Sequence, residues 1–79
     1  MMTTMTRLRV LRTQRGFWNG TNFAQKLGIP STRFLLAEAG RPYRRLVGDE
    51  PAKVAEALNV EADWLFDERG FPLPLDPVA

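Results

Sequence analysis

The chain of 79 residues contains no cysteine and no histidine. The first absence excludes disulfides and thiol chemistry, and the two together leave a metal ion only carboxylate ligands, a poor set for zinc. No apolar run approaches the roughly 20 residues that a membrane-spanning helix needs. The opening MMTTMTRLRV lacks the apolar centre of a signal peptide, so the expected setting is the cytoplasm, with no membrane association. Glycine-rich phosphate loops are absent as well. With neither histidine nor cysteine to accompany them, the Asp and Glu residues, mostly on helical positions expected to face solvent, make no enzyme site. No catalytic residue, metal or cofactor is expected.

Acidic residues are also scarce at one end. Residues 1–47 carry Arg7, Arg9, Arg12, Arg15, Lys26, Arg33, Arg41, Arg44 and Arg45 against Glu38 alone, a charge of +8. Residues 48–79 carry Lys53 and Arg69 against eight acids, a charge of −6, so the net +2 conceals two opposed halves. A basic half in front of an acidic one suits a phosphate-facing surface with a solvated back. An apolar fraction of 44% over this length is enough for one modest core and one domain.

The stretch Phe23 to Pro42, FAQKLGIPSTRFLLAEAGRP, organises the rest. Phe23, Ala24 and Leu27 share one face of a short helix over 22–27, and Gly28 suits its C-terminus because glycine takes left-handed backbone angles without steric cost. Ile29 fills the corner. Pro30, Ser31 or Thr32 opens a second helix running to about Ala39, ended by Gly40 and Pro42. Two short helices joined by a tight, glycine-containing turn form a helix-turn-helix.

On either side the pattern is helical. Residues 6–15 read as a first helix capped by Thr6 and stopped by Gly16, with Leu8, Leu11 and Val10 as its apolar stripe among four arginines. Asn19 or Thr21 caps the next helix. Phe17 is expected beneath the first helix and Trp18 partly over the surface, in preference to a base-stacking role. After the pair, residues 41–47 form a basic connector. Asp49 caps a fourth helix with Pro51 in its first turn and Val54, Ala55 and Leu58 buried. A fifth, over 61–68, is expected to bury Trp64, Leu65 and Phe66 and to end at Gly70. Residues 71–79, rich in proline, form an extended tail; residues 1–5 are expected to be flexible.

This order of elements resembles the lambda-repressor-like, Cro/C1-type helix-turn-helix family, also called the XRE class. The resemblance rests on Arg7-Leu8 through Leu11-Arg12 to Gly16, on Phe23-Ala24-Gln25-Lys26-Leu27-Gly28-Ile29, on Glu38-Ala39-Gly40, and on Ala57-Leu58-Asn59-Val60 followed by Asp63-Trp64-Leu65. It covers residues 6–70 and implies an all-α, compact five-helix domain that binds double-stranded DNA. The carried-over base-contacting residues are Ser31, Thr32, Arg33, Leu35 and Leu36, and the candidate phosphate contacts are Arg12, Arg15, Lys26, Arg41, Arg44 and Arg45. A homodimeric transcription repressor on a palindromic operator is the expected working form. The sequence departs from the family where Gly20 replaces a phosphate-binding glutamine and where leucines occupy groove-facing positions that are usually polar. Those leucines also support a second reading, a protein-interaction module on the same scaffold.

Overall fold

The structure is a computed structural model, and it describes residues 5–75. Five helices follow one another: α1 (Arg7–Gln14), α2 (Gly20–Lys26), α3 (Ser31–Glu38), α4 (Glu50–Leu58) and α5 (Ala62–Leu65). Among the described residues there are two isolated β-bridges and no named strand, so the fold is all-α. Of residues 1–5, expected to be flexible, the first four lie outside this description, as do residues 76–79 of the expected tail.

Local chemistry sets most helix ends. The Thr6 hydroxyl accepts from the Arg9 amide and opens α1, and the Asn19 side chain accepts from the Asn22 amide and opens α2. The second helix therefore starts two residues before the expected position. At the end of α2, Gly28 has φ 74°, its amide donates to the Gln25 carbonyl, and the Ile29 amide donates back to Ala24. This is a Schellman closure, which turns the chain sharply enough for Ile29 to drop into the core and α3 to pack on α2. The same pair of bonds closes α3 at Gly40 and α4 at Asn59, which also takes a left-handed φ. Asp49 stands at the N-cap of α4 but makes no capping bond; Glu50 reaches back instead and accepts from the Val47 amide at 3.0 Å.

The core gathers Leu8 and Leu11 from α1, Phe23 and Ala24 from α2, Ile29, Phe34 and Ala37 from α3, Leu46, Val54, Ala55 and Leu58 around α4, and Leu65 and Phe66. Phe17, Phe23 and Phe34 form a run of tilted rings with centroids 5.0 and 5.5 Å apart. Val10 is only half-buried, and its place in the expected stripe is taken by Arg12, one turn after Leu8.

The carboxyl end differs most from expectation. Helix α5 has one turn, not the two of residues 61–68, because Phe66 turns extended (φ −133°, ψ 152°) and bridges to Pro72. The Asp67 carboxylate then accepts from the Arg69 and Phe71 amides and fixes a turn in place of a helix. Trp64, expected in the core, is 46% exposed, with the Arg7 guanidinium 5.0 Å above its ring. The described part of the tail, residues 71–75, does not project. Leu73 donates to Leu65 O (2.8 Å) and accepts from the Arg7 amide (3.0 Å), while Leu75 donates to Met5 O (2.7 Å). Residues 71–75 thus lie between the two ends of the helical body.

Candidate nucleic-acid interface

Helix α3 is held on its inner side by Phe34, Ala37 and Glu38, all buried. At 3.6 residues per turn, the opposite side presents Thr32 and Leu36, flanked by Leu35 on one border and Arg33 on the other. Thr32 is exposed, Leu36 and Ser31 are half-buried, and Leu35 is 39% exposed. Pro30 occupies the N-cap and makes no side-chain bond, so neither of the hydroxyls considered for that role caps α3.

Both borders of this face rest on neighbouring elements. Leu35 leans over the first residue of α2, where a Cβ on Gly20 would stand 2.8 Å from its Cδ2. Gly20 is buried, and its missing side chain is what lets Leu35 close down. On the other border the Arg33 guanidinium pairs with the Glu50 carboxylate at the start of α4, and the Arg33 Nε is buried without a partner. Arg33 is thus tethered to α4 and does not project freely from the α3 face.

The six residues expected at phosphate separate into three groups. Arg12 is only 5% exposed; its guanidinium pairs with the equally buried Glu38 and also donates to the Phe17 carbonyl, joining α1 to α3. A side chain enclosed this way has no face to offer a phosphate, so its expected role is corrected to a structural one. Arg15 is exposed at the end of α1, but its Nε donates to Leu58 O (3.1 Å), the last residue of α4, where a cation suits unpaired helix carbonyls. Lys26, Arg41, Arg44 and Arg45 are exposed and form no ion pair among the described residues. Arg45 donates to the Arg69 carbonyl at 2.9 Å.

These free cations are not scattered. Three of the four belong to the connector after α3, which begins with the Arg41 amide on Leu36 O (3.2 Å) and ends with Leu46, buried and bonded through its amide to Gly70 O (3.1 Å). Gly70 has φ 89°, and a Cβ there would collide with the Leu46 carbonyl, so this anchor needs glycine. Two exposed aromatics accompany the surface. Trp18 is 77% exposed beside Asn19, Asn22 and Lys26, and Tyr43 is 92% exposed within the connector. Sequence reasoning gave Tyr43 no role, although its position between Pro42 and two arginines was visible.

Other site chemistries find less. Among the described residues no three acidic side chains converge as a metal site would require, and no helix is long and apolar enough to cross a membrane. Comparison of the chain with protein-family models, with curated proteins and with solved structures found no match.

Proposed function

We propose that the protein is a sequence-specific DNA-binding transcriptional regulator of bacterial or phage type, of the lambda-repressor-like helix-turn-helix kind, repressing from a palindromic operator as a dimer. The observation that carries this reading is the outward face of α3, bordered by α2 and α4 and followed directly by a loop of three exposed arginines that form no ion pair among the described residues. The amino end of α3 enters the major groove, with Ser31 and Thr32 nearest the base edges and Leu35 and Leu36 against thymine methyl groups. Amides of the first turn, which receive no side-chain cap, favour phosphate. Arg33 contributes from its tether on Glu50, and Lys26, Arg41, Arg44 and Arg45 hold the backbone, with Arg15 at the margin. Because only Ser31, Thr32 and Arg33 offer hydrogen bonds to bases, phosphate contacts and DNA shape supply much of the affinity. Dimer contacts fall on α4, α5 or the tail, where Trp64 and Leu75 are exposed.

The exposed leucine border of α3 supports a second reading, in which the same face binds a protein. Leu36→Gln separates the two. A DNA reader keeps its fold, seen by circular dichroism, and changes its preferred duplex sequence; a variant with unaltered DNA preference favours the protein partner.

A further inference from the structure

Tyr43 is the sole tyrosine of the chain and the most exposed of its described large apolar side chains. It is also one of only two described non-glycine residues with positive φ, at 64°. The other, Asn59, belongs to a residue type that enters this region readily, whereas a bulky aromatic there is held against its preference. Such strain persists only where the surroundings impose it. Here they do: the Arg41 amide is fixed on Leu36 O, the Arg44 amide on Arg41 O (3.3 Å), and Leu46 is sunk in the core. The short span between these anchors closes as a turn that leaves the ring in solvent. It stacks on no ring or cation among the described residues.

The neighbours of the ring state what it suits. Residues 41–47 bring three exposed arginines and no acid, so the connector is a cationic turn with one aromatic at its tip. A nucleic-acid strand has the complementary pattern, phosphates on the outside and apolar sugar faces and base edges between them. We propose that Tyr43 is an apolar DNA contact, its ring laid against the sugar and base edge at the rim of the groove that α3 enters, while Arg41, Arg44 and Arg45 hold the flanking phosphates. This inference rests on the DNA-binding reading above. It adds to that reading a contact whose contribution does not depend on salt, because an apolar ring displaces no counterions, whereas each arginine on a phosphate does.

The test uses the full chain and a duplex enriched by it from a random library, with fluorescence anisotropy titrations at two salt concentrations. Tyr43→Gly and Tyr43→Asn both accept the left-handed turn, so their melting temperatures stay at or above that of the wild type. Each weakens binding by about tenfold, by the same factor at both salts, and Tyr43→Phe keeps affinity within about twofold. Arg44→Ala with Arg45→Ala instead reduces the slope of log affinity against log salt by about two. Unchanged affinity of Tyr43→Gly and Tyr43→Asn overturns the inference, and so does a loss that vanishes at the higher salt or one that Tyr43→Phe shares. A wild-type chain that enriches no duplex overturns the DNA-binding reading itself, which is a different result from a bound duplex indifferent to Tyr43.

Discussion

Beyond its packing on α2 and the core, α3 is tied to its neighbours by two joints, and both are arginine–glutamate pairs. The joint to α1, Arg12 with Glu38, is closed on every side, each side chain about 5% exposed. The joint to α4, Arg33 with Glu50, is half open, with 39% of the arginine side chain in solvent. The same two residue types therefore do different work within one helix. Taking both charges out of water is costly and is offset only by complete bonding: Arg12 donates to both Glu38 oxygens and to Phe17 O, and the Glu38 carbonyl also accepts from Thr6 Oγ1 at 2.7 Å. Arg33 is less enclosed, and it borders the outward face. A closed pair sets where α3 sits; an open pair leaves a cation near the surface that α3 presents.

The largest expected effect breaks the closed joint. Glu38→Ala strands a buried guanidinium and lowers unfolding free energy by about 3–5 kcal/mol, read from urea denaturation, a large share of what a small domain has. Replacing both partners by apolar residues, Arg12→Met with Glu38→Leu, recovers most of that loss, since the cost lies in the orphaned charge more than in the missing attraction. A smaller effect follows at the open joint. Glu50→Gln keeps an acceptor for the Val47 amide but removes both the charge and the acceptor oxygen facing Arg33, for a loss of about 0.5–1.5 kcal/mol in the same assay. The smallest belongs to a pair outside both joints: Lys53→Ala, which ends an exposed ion pair with Asp49 (3.7 Å), changes stability by less than about 0.5 kcal/mol. An order other than this one would mean that burial does not separate the two joints.

The difference between the joints also explains what could be read in advance. Some helix ends were legible because their determinants are local: Thr6 and Asn19 cap, Gly28 and Gly40 close, and each acts within four residues of itself, whereas the expected caps at Asp49 and at Ser31 or Thr32 make no such bond. Arg12 was misread because its burial depends on a partner 26 residues away. Two signals pointed to it nonetheless. Arg12 falls one turn after Leu8 and next to Leu11, on the buried stripe, and Glu38 is the one acid among the first 47 residues. The carboxyl end was less legible still. Trp64, Leu65 and Phe66 have the composition of a helix interior, but the Leu65 carbonyl and Phe66 pair with the tail through backbone bonds that no side-chain pattern announces. That pairing shortens α5, exposes Trp64, and turns an apparent loose end into part of the domain.

Of the candidate interface, helix α3 and the cationic connector were legible from spacing and charge, whereas the side of α3 to expect at DNA came only from the family resemblance. What the sequence could not assign was the accessibility of each arginine, because charge counts treat the enclosed Arg12, the tethered Arg33 and the exposed Arg44 alike.

The most direct test of the account is selection of the purified chain against a random duplex library at two salt concentrations, followed by sequencing. The account predicts salt-sensitive binding and enrichment of an inverted repeat, one half-site for each α3 of a dimer. An absence of binding at both salt concentrations would contradict it and turn the leucine-bordered face of α3 toward a protein partner.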